Sequence, residues 1–402
     1  MDLRQSPYSP SPGVRPAMLV GRDDVLEQFE ITLDRLEAGR SGEAPLVTGS
    51  RGSGKTVLFN HMVSRARERG WFVGAEEAIP GTELSTLIAL LARDVLMEMS
   101  GRHRFTDRVK RALGVLKAFA SVSVAGVRLE INADAVAGTA DTGIFDLDLR
   151  RLFIEIGEVA RMHEIGVLFA LDEVQTVPNS HLRVLHAALH QTAQRGLPIA
   201  FLGTGLSPSW QQSGAELIDP TRTTTYAARS ATLSYTRLEP LGDVDTRAAL
   251  TGPAEAEGVR FTEHALQAAV EFCEGSPWLV QFVGETAWGL APSSPIDELA
   301  MHRALATVQE RLNQTFFPRL LRHCDREERR ILAAVAAYGG RNVPALRIGE
   351  SSPHGDWFDE EFVKLLGGLA RQDLIVLHFS TSLFETTDFA ISLAVPRLAA
   401  YF

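Results

Sequence analysis

Cysteine is scarce. Cys273 and Cys324 are the only two in 402 residues. They are far apart and lack metal-ligand spacing, which excludes a disulfide-stapled scaffold or a zinc ribbon and fits two small buried hydrophobes in a reducing compartment. Long apolar runs are missing too: none approaches a transmembrane helix, and the first residues lack the apolar stretch of a secretory signal. A cytoplasmic protein with no membrane partner is therefore expected. Positive charge is not in excess, since 40 Lys and Arg stand against 50 Asp and Glu for a net −10. Such a chain is not built as a whole to coat nucleic acid, although a local basic patch stays open. With internal repeats absent and 45% hydrophobic and 22% charged residues, the composition is that of an ordinary globular protein of two or three domains.

What is present is concentrated in residues 46–56, Leu-Val-Thr-Gly-Ser-Arg-Gly-Ser-Gly-Lys-Thr. Gly49, Ser50, Arg51, Gly52, Ser53, Gly54, Lys55 and Thr56 match the phosphate-binding pattern G-x-x-x-x-G-K-[ST]. An apolar run, Ala44 to Val47, precedes the loop, and a helical pattern follows from Val57. Backbone N–H groups must wrap a polyphosphate closely, and side chains at the glycine positions would obstruct that approach. The helix starting near Lys55 aims its first amides at the same phosphates. Lys55 is expected to reach the β- and γ-phosphates and Thr56 to ligate Mg²⁺.

Along the chain, residues 1–16 hold Pro7, Pro10, Pro12 and Pro16, an extended segment that is either disordered or draped over the next domain. Val25, Phe29, Leu33 and Leu36 recur at helical spacing. Trp71-Phe72-Val73 opens a second strand, residues 84–98 and 106–119 read as helices, and the alternating Val122, Val124, Val127, Leu129 and Ile131 suggest a hairpin. A helix over 145–163, the apolar run Val167–Leu171, a helix over 180–194, the strand Ile199–Leu202 and a strand over 231–238 complete an α/β alternation, which predicts a parallel sheet. After Pro240 residues 243–314 are helical only. From Asp325 three helices precede two short apolar strands, the order of a winged helix. The expected parts are thus the segment 1–16, a nucleotide-binding α/β domain over 17–241, a helical lid over 242–324 and a winged helix over 325–402.

Residues 167–173, Val-Leu-Phe-Ala-Leu-Asp-Glu, supply the second half of a site: a buried strand ending in two carboxylates at the edge where α/β sheets bind ligands. Asp172 is expected to hold Mg²⁺ through water and Glu173 to polarise the attacking water. An Asp-Glu pair capping the next helix is the plainer alternative. No N-K-x-D guanine motif occurs, which favours ATP over GTP, and the paired acids belong to ATPases with an extra strand between the P-loop strand and this one. Thr204, ending the next strand, either orients the lytic water or simply opens a Thr-Gly turn. Arg222 and Arg229 precede the fifth strand. Each is either a surface arginine or a cation acting on a neighbouring subunit's nucleotide. His181, His186 and His190, and Trp71, Trp210, Trp288 and Trp357, read as structural.

Together these residues resemble the AAA+ ATPases of the additional-strand (ASCE) type, similar to the Orc1/Cdc6-like initiators and bordering the STAND signalling ATPases. Leu19-Val20-Gly21-Arg22 resembles the entry motif that packs near adenine, which implies a base-contacting role for Val20, Gly21 and Arg22. Arg51 through Leu58, with Val57 in the first helical turn, Gly203-Thr204-Gly205-Leu206 and Glu274 through Gln281 are similar to the same family, and the resemblance sets Pro277 against the base. Trp278 stands where many relatives carry a sensor arginine, a lack shared with STAND-type members that work as slow switches.

Two activities compete. One is a DNA-acting ATPase that uses its winged helix as an initiator, loader or transposition helper. The other is a nucleotide-gated switch on a protein partner, in which ATP holds the lid and winged helix against the sheet and hydrolysis releases them, with a nucleotide-dependent oligomer as a further expectation. Over residues 326–402, eight basic residues face ten acidic ones, and the reading helix would begin Asp359-Glu360-Glu361, which repels phosphate. Charge thus favours the switch over DNA. An inactive nucleotide-binding scaffold is disfavoured by intact Lys55, Asp172 and Glu173.

Overall fold

The computed structural model describes residues 1–102, 107–124, 133–206, 233–350, 360–379 and 389–402. Helix α1 (Asp23–Glu37) buries Phe29, Leu33 and Leu36 along one stripe, with Asp23 and Asp24 at its positive N-terminal end. Strand β1 (Ala44–Gly49) leads through the glycine loop into α2 (Lys55–Glu68). Then come β2 (Phe72–Glu77), α3 (Leu84–Arg102), α4 (Asp107–Ser123), α5 (Phe145–Met162), β3 (Val167–Asp172), α6 (Asn179–Gln194), β4 (Ile199–Gly205) and β5 (Leu233–Leu238).

The five strands form a parallel sheet in the order β2-β3-β4-β1-β5. Strand β4 therefore lies between the P-loop strand and the strand of the acidic pair, the insertion expected from the sequence. Side-chain alternation splits β3 between two cores. Leu168 and Ala170 meet Phe29, Leu58 and Met62 of α1 and α2, while Val167, Phe169 and Leu171 meet α3, α5 and α6. Phe153 and Phe169 stack there at 4.8 Å.

The expected hairpin over 121–132 is not formed at its start. Val122 and Ser123 complete α4, whose Val115, Ala118 and Phe119 are buried at three- and four-residue spacing. The helical period outweighs the short alternation that follows it. Residues 125–132 lie outside the described residues.

Beyond Pro240 the chain is helical: α7 (Asp243–Ala256), α8 (Glu263–Cys273), α9 (Pro277–Leu290), α10 (Glu298–Arg311) and, after a π-helical turn at Leu312–Phe316, α11 (Phe317–Leu320). Ser276 caps α9 and Pro277 occupies its first turn, where a missing N–H is harmless. Then α12 (Arg326–Ala337), opened by an Asp325/Glu328 capping box, precedes β6 (Val343–Pro344), α13 (Ala345–Glu350), α14 (Glu360–Arg371), β7 (Ile375–Phe379) and β8 (Phe389–Leu393). Strands β6, β8 and β7 pair antiparallel in that order. The two-residue β6 carries no sequence signal. One contiguous core runs from Ala249 in α7 to Leu398, so the helical and C-terminal segments pack as one body.

The N-terminal segment is draped over both neighbours: its first residues lie on the helical segment, and the Gly13 carbonyl accepts from the Asn60 side chain of α2 at 3.3 Å. Tyr8 is buried, with its hydroxyl donating to the Leu250 carbonyl. The Trp278 and Trp288 indoles donate to the Pro10 and Asp2 carbonyls at 3.1 and 2.9 Å. Gly284 of α9 makes room, since a Cβ there would stand 2.6 Å from the Tyr8 ring.

Candidate functional site

Parallel pairing of β3, β4 and β1 brings their C-terminal ends, Asp172, Thr204 and Gly49, to one edge of the sheet. The loop after β1 turns through Gly52 and Gly54 at φ +79° and +91°, a region that side chains rarely enter. A Cβ on Gly49 would come within 2.7 Å of Ser53 Oγ across the loop. Lys55 is buried at the start of α2, and its Nζ donates to the Gly49 and Ser50 carbonyls at 2.9 and 3.0 Å. Burial lowers the basicity of this ammonium, opposed by the nearby carboxylates Asp373, Glu173 and Asp172.

Asp172 ends β3 and is 4% exposed. Its Oδ1 accepts from the Thr204 hydroxyl and from the Glu173 amide at 2.9 Å. Glu173 follows at φ +56° and receives a hydrogen bond from the Gln175 side chain. Gln175 Oε1 in turn accepts from the Leu206 amide at 3.1 Å, tying the acidic pair to the end of β4. Gln175 escaped sequence reading because nothing local marks it.

A cavity of about 600 Å³ opens on this edge. Arg51 through Val57 and Glu173 form its floor; Ser9 through Val14, Met18, Leu19, Val20 and Arg22 form one wall, and Ser276 through Gln281 the other. Gly21, Gly49, Ser50, Asp172 and Thr204 do not line it. Gly21, at φ +62°, packs on Asp245, and Arg22 Nη2 donates to the Ser53 carbonyl at 3.2 Å, so the entry motif braces the loop. Pro277 lies over Gly54, and the Trp278 amide donates to the Gly52 carbonyl at 3.3 Å. The Trp278 ring packs near Phe282 and Phe316 at 5.6 and 5.0 Å. Arg222 and Arg229 lie outside the described residues.

These residues fit a magnesium nucleotide. The cradle depends on positions a Cβ would fill, and Ser53 Oγ is buried in it with no hydrogen-bond partner. Thr56 and Asp172 offer the hard oxygen ligands that Mg²⁺ prefers. Among the described residues there is no cluster of three or more His, Cys, Asp or Glu suited to another metal. Nor, among them, is any helix long and apolar enough to cross a membrane.

Residues 18–202 match the family profile of the AAA ATPase domain. No curated protein matches the chain in sequence. Among solved structures, the chain is similar to the ORC2 protein of Aeropyrum pernix, described in ADPNP and ADP complexes, with 16% identity, 98% of this chain and 95% of that one covered, and a TM-score of 0.56. It is equally similar to a Walker-type ATPase of Pyrococcus abyssi, with 17% identity, 97% and 98% coverage and a TM-score of 0.56. At these identities the likeness is one of fold.

Proposed function

We propose that this chain, a P-loop ATPase of the AAA type, binds Mg-ATP in the cavity between loop, N-terminal segment and lid, hydrolyses it slowly, and uses the bound nucleotide to set the position of its lid and C-terminal segments toward a protein partner. The observation that carries this reading is the convergence of Lys55, Asp172 and Glu173 at one sheet edge beneath a cavity closed by a separate helical body. In this proposal residues 17–241 hold the nucleotide, 242–324 form the lid and 325–402 a winged helix. The amides of Gly52 through Val57 hold the phosphates, Lys55 neutralises them, and Val20, Gly21, Arg22 and Pro277 shape the base end. Thr56 and Asp172 hold the metal, which when bound offsets phosphate charge. Thr204 keeps the Asp172 carboxylate aimed by donating to it, and Glu173, oriented by Gln175, accepts the proton of the attacking water. A role for Arg229 requires a second copy of the chain, and an oligomer formed only with nucleotide.

The DNA-acting alternative rests on the C-terminal winged helix and ranks second. The acidic balance of that segment opposes phosphate, and its helix α14 turns Phe362, Leu366 and Leu369 into the core. Phosphate release by the wild type and Glu173→Gln, with and without duplex DNA, tests the choice. Slow release that needs Glu173 and ignores DNA supports the switch. Stimulation by DNA moves the alternative ahead.

A further inference from the structure

The glycine loop is already in contact with an anion from the far end of the chain. Asp373 sits in the turn after α14, 322 residues from Arg51, and its Oδ2 accepts from the Arg51 amide at 2.7 Å. It is 4% exposed, and it is among the charges acting on Lys55. An amide of the phosphate loop is thus taken by a carboxylate delivered by the C-terminal segment, whose charge also reaches the loop's lysine.

The backbone around Asp373 makes the choice of residue informative. Its amide bonds back to Ala370 and that of Leu374 to Leu369, the closing pattern of a helix C-terminus, with Asp373 at φ +56°. Glycine is the usual residue there because it adopts that conformation without strain. An aspartate is tolerated but gains nothing locally, and burying its carboxylate is unfavourable unless it finds donors. The donor it finds is the loop amide. The same face of the body carries a second tie, the Trp278 amide on the Gly52 carbonyl. Salt bridges of Arg341 and Arg397 to Glu274 join the C-terminal elements to the lid, and Arg397 lies 4.3 Å over the Phe272 ring.

From this geometry we infer that Asp373 is an internal anion seated on the P-loop in competition with nucleotide phosphate, so that binding of the triphosphate displaces it and loosens the lid–C-terminal body from the sheet. The inference rests on the reading that this loop takes ATP. It reverses the direction expected from sequence, in which ATP holds the C-terminal segment down. Phosphate oxygens on the amides of Gly52 through Val57 would lie beside the Asp373 carboxylate on the neighbouring Arg51 amide, and both anions draw on the charge of Lys55, so they repel each other. Asp373 thereby sets the affinity of the site: the nucleotide must outbid a carboxylate that is always at hand.

The test is equilibrium binding of a non-hydrolysable Mg-ATP analogue to the full chain and to Asp373→Asn and Asp373→Gly. Asparagine keeps the shape and removes the charge; glycine removes the side chain and fits the positive φ, so at least one variant retains the fold. Both are expected to bind roughly ten- to hundredfold more tightly, the range of a lost charge-assisted hydrogen bond. In the wild type the analogue is expected to speed hydrogen exchange at the amides of residues 369–379. Equal affinity in all three proteins, or slowed exchange in that segment, overturns the inference while leaving ATP binding intact. Absence of binding in all three refutes the ATP reading and this inference with it.

Discussion

Thr204→Val separates two roles for a residue that sequence left between a water-orienting group and a turn. Thr204 is fully buried, and its hydroxyl donates to Asp172 Oδ1, itself on a 4% exposed carboxylate. Valine keeps the shape and takes away the donor. Asp172 Oδ1 then retains only the Glu173 amide among its two donors. A hydrogen bond to a charged group contributes about 1.5–3 kcal/mol, and a buried acceptor left short of donors incurs a penalty of that order. Thr204→Ser keeps the hydroxyl and loses one buried methyl, a cost of about 1 kcal/mol. Urea unfolding is therefore expected to rank wild type, then Ser, then Val, with Val below Ser by roughly 1 kcal/mol or more. On the proposal that Asp172 holds Mg²⁺, a second readout follows: loss of a partner that aims a metal ligand weakens metal affinity about ten- to hundredfold. Thr204→Val should need correspondingly more Mg²⁺ for half-maximal ATP binding, and Thr204→Ser should not. Serine as damaging as valine, or an unchanged Mg²⁺ requirement in both, refutes the reasoning.

Other consequences are equally open to measurement. Gly166→Ala places a Cβ about 2.2 Å from the fully buried Trp71 ring, so overpacking of roughly 3 kcal/mol is expected in urea unfolding, and an unchanged midpoint contradicts this packing. Burial pushes the Asp373 carboxyl up to about 6 from 3.8, against the pull of Lys55, Arg51 and Arg237. The folded chain thus holds this proton more tightly than the unfolded chain, and its stabilisation is full below about pH 4 and lost as pH rises through about 6. The stability of Asp373→Asn relative to wild type should grow by roughly 2–3 kcal/mol between those limits, and parallel pH profiles for the two proteins would count against it. Cys273 and Cys324 are buried with thiols raised by desolvation, Cys324 to about 11, so alkylation at pH 8 should modify neither until the chain is unfolded; rapid labelling of Cys273 would contradict its place in the core.

Legibility followed the range of the interactions. Gly49 through Thr56 and the run Val167–Glu173 are local, each a strand and the turn it feeds, and the adjacent acids Asp172 and Glu173 pointed to the strand inserted between them. Leu168 and Phe169 belong to different cores because side chains alternate along a strand, which a continuous apolar run conceals. Asp373 was invisible for the opposite reason. In sequence it is one of ten acids in an acidic segment, and only the docking of two bodies gives it a partner 322 residues away. The N-terminal segment was ambiguous because proline-rich composition fits both an ordered strap and a disordered tail; Gly284 and the indoles of Trp278 and Trp288 decide it, and none of them is near it in sequence. The 121–132 hairpin was misread at its start because four residues of alternation also satisfy the last turn of a helix.

The central claim is that the glycine loop and Lys55 bind ATP. Equilibrium dialysis of Mg-ATP against the wild-type chain and Lys55→Ala tests it most directly, with circular dichroism confirming that the variant is folded. The account predicts saturable binding of one nucleotide by the wild type and at least a hundredfold weaker binding by Lys55→Ala, on the order expected for a buried ammonium lost from phosphate. A folded Lys55→Ala that binds as tightly as the wild type, or a wild type that binds no nucleotide, would contradict it.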